Sequence, residues 1–267
     1  MKTTLLEFPN KENKNLRGIL TLPDKEIKSA VICVHGLERR SSTEKKFKAL
    51  SDILADKGVA VFRFDLTGCG LSDGDLRYTT IERQGEDLVT ALEQLRKEIG
   101  DLKISVVAHS LGACALATKI KDIRDRIEKV IVIAPALNQK ELLRYWFVTS
   151  EMKKTDPKVE ITWQNYKQYL DEDAFRKDCE RNDKMTKAGY IEARYFLEGK
   201  DLDLSSAFED LDLEVLHIHG LQDKVVPIES LNANFGDQMI IENGDHDLEK
   251  PDQRERWLDQ AVNFLVE

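Results

Sequence analysis

Hydrophobic and polar positions along this chain switch repeatedly between two periods. Short, mostly apolar runs rich in β-branched residues recur at Ser29 to Val34, Val59 to Phe64, Lys103 to Ala108, Val130 to Ala134 and Leu213 to Gly220, with a shorter one at Met239 to Ile241. Runs of this length with few polar interruptions predict strands covered on both faces. Between them lie stretches with helical spacing. Phe47, Leu50, Ile53 and Leu54 share one face of a helix predicted over Thr43 to Lys57, with Gly58 as its stop. A second amphipathic helix is predicted over Ile81 to Ile99, closed by Gly100, and a last one from about Asp252 to Val266. Two extended runs near the start, Thr3 to Phe8 and Leu16 to Leu22, flank the polar stretch Asn10 to Asn15 and predict an antiparallel hairpin at a sheet edge. Strands that alternate with helices in this way predict an α/β protein, a parallel sheet with helices on both faces.

One segment breaks the alternation. From about Asn138 to Ser205 there is no buried run, charge is dense, and ten of the nineteen aromatic side chains are found there. An insertion into the sheet pattern is expected over this range, and the run Lys153 to Lys158 reads as its solvated face.

Composition narrows the function classes. With 267 residues, 41% of them hydrophobic, the chain can bury one large core or two small ones. The net charge of −9 is spread along the chain, which argues against binding nucleic acid or an anionic membrane through bulk electrostatics. The first residues lack the apolar core of a signal peptide, and no apolar run approaches the ~20 residues of a membrane span. Cys33, Cys69, Cys114 and Cys179 are far apart and form no C-x-x-C pair. Reduced thiols in a cytoplasmic protein are expected, with Cys33 and Cys114 acting as small buried hydrophobes.

In open parallel sheets, sites form at the carboxyl ends of the strands. The residues predicted there are His35-Gly36, Ser110, Asp223 and His246. Ala108-His109-Ser110-Leu111-Gly112 fits the pattern G-x-S-x-G, with alanine in the first glycine position, at a predicted strand-to-helix turn. Such a turn lifts the Ser110 hydroxyl off the strand and leaves the Leu111 N–H at a helix start, where donors are free. A serine hydroxyl is a weak nucleophile until a base takes its proton, and the base needs a carboxylate to hold its tautomer. Five histidines are available. His109 adjoins Ser110 and should point away from its hydroxyl. His35 belongs to a His-Gly turn, and His217 and His219 share one face of a strand. His246, on a loop after the last strand, is left as the base. Asp223 follows its strand by a few residues and is the first choice of acid, with Asp65 second. Asp245 and Asp247 are too near His246 in sequence to reach it easily. Gly68 and Gly70 read as turn glycines, since the third glycine and acidic residue of a dinucleotide unit are missing from their context.

The order Ser110, Asp223, His246, together with His35-Gly36, the Gly68-x-Gly70-x-Ser72 loop, Gly220-x-x-Asp223 with Val226-Pro227, and Gly244-x-His246, resembles the α/β-hydrolase superfamily over nearly the whole chain. Within it the chain is most similar to bacterial carboxylesterases of the cinnamoyl/feruloyl-esterase and monoacylglycerol-lipase-like type. The resemblance implies an α/β-hydrolase fold: a mostly parallel eight-stranded sheet with helices on both faces and a lid inserted after the sixth strand. Residues 1–137 and 206–267 would form the core and 138–205 the cap.

It further implies Ser110 as nucleophile, His246 as general base and acid, Asp223 as its orienter, and the backbone N–H groups of Leu37 and Leu111 as the oxyanion hole. His35, Gly36 and His109 would flank the bound substrate. Trp146, Trp163, Tyr166 and Tyr169 either face it or form the cap's own small core, and core is the more general fate of aromatics. The expected reaction is hydrolysis of small to medium acyl esters through an acyl-enzyme, with no metal or organic cofactor. Expected partners are a small-molecule ester and, as a homodimer, a second copy of the chain. Peptidase, amidase or thioesterase chemistry on the same residues, and a receptor-like module with little turnover, are the alternatives.

Overall fold

The computed structural model describes residues 1–186, 189–209 and 211–267. Its elements run β1 (Lys2–Pro9), β2 (Asn15–Leu22), β3 (Ser29–Val34), α1 (Lys45–Asp56), β4 (Val59–Asp65), α2 (Ile81–Ile99), β5 (Ile104–His109), α3 (Leu111–Ile123), β6 (Lys129–Ile133), α4 (Gln139–Thr155), α5 (Glu172–Cys179), β7 (Lys184–Met185), β8 (Tyr190–Ile191), α6 (Ala193–Gly199), β9 (Glu214–Gly220), β10 (Asp237–Ile241) and α7 (Pro251–Val266). The main sheet is eight-stranded, in the order β1-β2-β4-β3-β5-β6-β9-β10. β1 and β2 form the expected edge hairpin, with Lys2 opposite Leu22 and Pro9 opposite Asn15. β2 also runs antiparallel to β4, and the further ladders of this sheet are parallel.

The two faces of the sheet are built by strict alternation along the strands. Ala30, Ile32 and Val34 of β3, Val106 and Ala108 of β5, and Val130 and Val132 of β6 pack with α2 and α3. Val31, Cys33, Val107, Ile131 and Ile133, one position out of phase, pack with α1 and α7. Each fully buried large side chain contributes about 1.5–3 kcal/mol, which is why these strands are apolar at nearly every position. The helix boundaries follow local chemistry. The Thr80 hydroxyl caps α2 by accepting from the Arg83 N–H at 3.2 Å. Gly100, at φ 74°, ends it.

The structure corrects one detail of the sequence reading. α1 starts at Lys45 because the Thr43 and Glu44 N–H groups are spent on the Arg40 carbonyl, and Glu44 is extended. The segment 138–205, expected to hold no buried strand, carries only the two-residue antiparallel ladder β7–β8 among its described residues, too short to leave a periodic signal. Its helices are α4, α5 and α6, joined by turns and loops. Asn138 caps α4 by accepting from the Glu141 N–H, and its amide donates to the Ser230 carbonyl. Arg144 grips Glu172 with two N–H bonds of 3.0 and 2.6 Å and lies over the Phe175 ring, tying α4 to α5. Residues 153–158 are exposed, as expected of a solvated run.

Candidate active site

The parallel strands bring the ends of β3, β5, β9 and β10 to one edge of the sheet, and the local backbone there is specialised. Ser110, between β5 and α3, is held at φ 54° and ψ −120°. A non-glycine residue in that region costs about 1–3 kcal/mol and persists only where its surroundings enforce it. Here the Ser110 N–H donates to the Ile133 carbonyl at 2.9 Å, and the Ser110 carbonyl accepts from Ala113 and Ala136 at 3.1 and 3.2 Å.

The small residues of the turn differ in how tightly they are confined. A Cβ at Gly112 would lie 2.6 Å from the His35 carbonyl oxygen and 2.7 Å from that of Val34, and one at Gly36 would lie 3.0 Å from the Ser110 Cβ. Ala108, by contrast, sits within the sheet between Val34 and Val132, where its methyl is fully buried. The turn therefore excludes a side chain at 112 and accepts a methyl at 108.

His246 lies between Ser110 and Asp223. Its Nε2 is 3.0 Å from Ser110 Oγ and its Nδ1 is 2.7 Å from Asp223 Oδ2. The loops carrying the two residues are joined by backbone bonds, Leu221 N–H to the Ile241 carbonyl and Gln222 N–H to the Gly244 carbonyl, both 2.9 Å. Asp223 Oδ1 accepts the Val225 and Val226 N–H groups, each at 2.8 Å. Burial alone would raise the Asp223 pKa, but donors on His219 and His246 and the Val226 N–H outweigh it and hold it at about 2. An ionised Asp223 requires Nδ1–H on His246, which leaves Nε2 free to accept the Ser110 proton.

Several residues that support this arrangement were missed in the sequence or given another role. The His109 Nε2–H donates to the His246 carbonyl at 3.0 Å, and its ring centroid is 5.0 Å from that of His246. Fully buried, His109 titrates well below the usual histidine range. Lys46 Nζ, also fully buried, reaches the Asp247 carbonyl at 3.3 Å, and Arg39 pairs with the Asp247 carboxylate at 2.5 Å. The signal for Lys46 was its position one residue before Phe47, on the buried side of α1.

Asp65, the second choice of acid, is not brought to His246. It accepts from the Ser42 N–H and hydroxyl at 3.0 and 2.6 Å and from the Leu71 N–H at 2.9 Å, so it braces the loops after β3 and β4. His35 accepts the Leu66 N–H at Nε2 and donates from Nδ1 to the Gly36 carbonyl, shaping the turn before Leu37. Among the described residues no protein acceptor engages the N–H of Leu37 or Leu111.

The four aromatic candidates divide. Tyr166 is fully buried with its hydroxyl on Glu141, and it packs with Tyr145 and Trp163. It serves the packing of 138–205. Trp146 Nε1 donates to the Val225 carbonyl and Tyr145 Oη to that of Lys224, so α4 is docked on the turn that follows Asp223. Trp163 packs beside Val226 and Trp146, and Tyr169 is exposed. The four cysteines are free and buried, and burial pushes the Cys33 thiol up to about 12. Among the described residues no group of three or more His, Cys, Asp or Glu side chains is placed to hold a metal ion, and no helix is long and apolar enough to cross a membrane.

A mostly parallel eight-stranded sheet with helices on both faces, and a serine at positive φ between its fifth strand and the following helix, is the α/β-hydrolase fold. Within it, the chain belongs to the family described as serine aminopeptidase, S33, which matches residues 25–243. Est1E from Butyrivibrio proteoclasticus, solved with ferulic acid bound, superposes with a TM-score of 0.76 at 20% identity, covering 98% of each chain. An esterase of Pyrococcus furiosus superposes at 0.69 and 19% identity, covering 99% of this chain and 90% of its own. One from Exiguobacterium antarcticum does so at 0.68 and 14%, covering 99% and 100%. These likenesses establish the shared fold. No curated protein matches the sequence significantly.

Proposed function

We propose that this chain is a serine hydrolase that cleaves carboxylic esters of small to medium acyl groups through an acyl-enzyme on Ser110. The observation that carries the reading is the unbroken line of hydrogen bonds from Ser110 through His246 to Asp223, 3.0 and 2.7 Å long. In this reading His246 Nε2 takes the hydroxyl proton as Ser110 Oγ attacks the ester carbonyl carbon. Charge then develops on the carbonyl oxygen, which the N–H groups of Leu37 and Leu111 receive. The C–O bond to the alcohol breaks as His246 returns the proton to the leaving oxygen. Water, deprotonated by His246, attacks the acyl carbonyl, and the acid departs as Ser110 regains its proton. Asp223 stays ionised throughout, orienting the imidazole and stabilising the imidazolium.

Residues 138–205 act as a cap over a core formed by 1–137 and 206–267. The docking of α4 on the Asp223 turn supports this role. Ester chemistry is favoured by the esterase neighbours from Pyrococcus and Exiguobacterium. The family description favours a second reading, cleavage of a peptide bond on the same residues. Rates on matched p-nitrophenyl butyrate, butyryl thioester and butyryl anilide separate the two. The ester reading expects the ester to be turned over fastest, with turnover lost in Ser110→Ala. An anilide hydrolysed as fast as the ester would replace it with the second reading.

A further inference from the structure

Behind Asp223 lies a pair of imidazoles that the reaction itself does not use. His217 and His219 point to one face of β9, and their side chains are almost completely buried. His219 Nε2 is 2.8 Å from the Val226 carbonyl oxygen, with Asp223 Oδ2 as a longer second acceptor at 3.5 Å. Both partners are acceptors, so Nε2 carries the proton. The other nitrogen, Nδ1, lies 3.0 Å from His217 Nε2. With His219 neutral, Nδ1 accepts and His217 Nε2–H donates. His217 Nδ1 then has no partner among the described residues, and the His217 ring stacks on Phe235 with centroids 5.3 Å apart.

We propose, resting on the hydrolase reading above, that His219 is a positioning residue for Asp223, its tautomer fixed by His217, and that it shares the Asp223 carboxylate with His246. The turn after Asp223 is gripped at three successive carbonyls: Lys224 by Tyr145, Val225 by Trp146 and Val226 by His219. Two of these donors come from α4 and one from the sheet. His219 alone also reaches the carboxylate, on the oxygen that receives His246 Nδ1. Burial keeps His217 neutral, its pKa lowered to about 3, so no second positive charge is placed behind Asp223.

The sign of the effect follows from sharing. Donors that stabilise the carboxylate compete with the Nδ1–H of His246 for its charge. Removing His219 leaves more of that charge to stabilise the imidazolium, and the pKa of His246 rises. Among the described residues, the other titratable groups near Asp223 or His246 include Tyr145 on α4, Lys224 in the turn, His109 at the end of β5, Lys46 and Arg39 behind the His246 loop, and Asp245 and Asp247 on that loop itself, paired with Lys250 and Arg39. All are unchanged by a substitution at 219.

The test is an NMR titration of the full chain carrying ¹⁵N-histidine, in which His246 is assigned by its loss in His246→Ala. In their neutral forms His217 and His219 should both appear in wild type as Nε2–H tautomers. His219→Leu should raise the His246 pKa by about half a unit or more, and His219→Gln, whose amide N–H replaces Nε2–H, should restore it. His217→Leu should release the His219 tautomer preference and produce a smaller shift of the same sign. A folded His219→Leu with an unchanged His246 pKa, or a shift that His219→Gln does not reverse, overturns the proposal. Because this readout needs no turnover, its failure is distinct from that of the hydrolase reading, which fails if wild type and Ser110→Ala hydrolyse p-nitrophenyl butyrate equally.

Discussion

Replacing Gly112 by alanine inserts one methyl group where α3 passes the end of β3. That carbon would lie 2.6 and 2.7 Å from the carbonyl oxygens of His35 and Val34. Ordinary C···O contacts are about 3.3–3.6 Å, so the two segments must separate by roughly 0.6–1 Å. Both obstructing atoms are backbone, and they belong to the stretch leading into Gly36 and Leu37. The methyl therefore pushes the Leu37 N–H away from Ser110. Overpacking of this kind costs about 1–3 kcal/mol, partly offset by up to ~1 kcal/mol from the better helix propensity of alanine. The effect on the reaction is larger. A lost or misplaced oxyanion donor costs about 2.7–4 kcal/mol, roughly 10²–10³ in kcat.

The assay is steady-state hydrolysis of p-nitrophenyl butyrate beside a thermal melt. The expected result is a fall in kcat of about 10²-fold, KM within a few-fold of wild type, and a midpoint lowered by a few degrees. A folded Gly112→Ala protein with kcat within about twofold of wild type refutes the assignment of the Leu37 N–H to the oxyanion hole.

Other substitutions separate support from chemistry. Asp65→Asn should lower stability by about 1–3 kcal/mol, since Asp65 accepts from both donors of Ser42 and from the Leu71 N–H, while leaving kcat within a few-fold. Asp223→Asn should lower kcat by about 10⁴. Tyr166→Phe removes the hydroxyl from Glu141 and should cost about 1–2 kcal/mol of stability, with kcat/KM unchanged; a raised KM would put Tyr166 at the substrate instead. Asp223 also predicts a pH dependence. Its folded pKa, about 2, lies below the unfolded carboxylate value of about 3.9. The stabilisation is therefore present above pH ~4 and is lost as pH falls through ~2, amounting to about 2 kcal/mol. Urea midpoints of wild type and Asp223→Asn should converge over that range, and a constant gap down to pH ~2 would contradict the shift.

How much was legible in the sequence depended on whether a feature was local. The central strands announced themselves because burial on both faces leaves almost no polar position in β3, β5 and β6. The strand-to-helix turn at Ser110 was readable for a similar reason: a strand ending on a serine flanked by small residues is a local pattern. Asp223 and His246 stand at strand ends, so their order along the chain sufficed to pair them as candidates. The supports were not readable. His109 looked like a neighbour of Ser110, and only the folded chain carries its Nε2 to the His246 carbonyl, across 137 residues of sequence. Lys46 holds the Asp247 carbonyl across 201. His217 and His219 read correctly as strand residues sharing a face, but their bond to each other needs the rotamers. Trp146 was grouped with the candidate substrate wall, and its indole N–H is spent on Val225.

In the proposed reaction the Ser110 hydroxyl, activated by His246, is the nucleophile. Incubation with a fluorophosphonate, followed by digestion and location of the adduct by mass spectrometry, identifies the nucleophile. The expected result is a single adduct on Ser110 in wild type, loss of p-nitrophenyl butyrate turnover in step with labelling, and neither adduct nor turnover in Ser110→Ala. An adduct on another residue, or turnover that survives in Ser110→Ala, would contradict it.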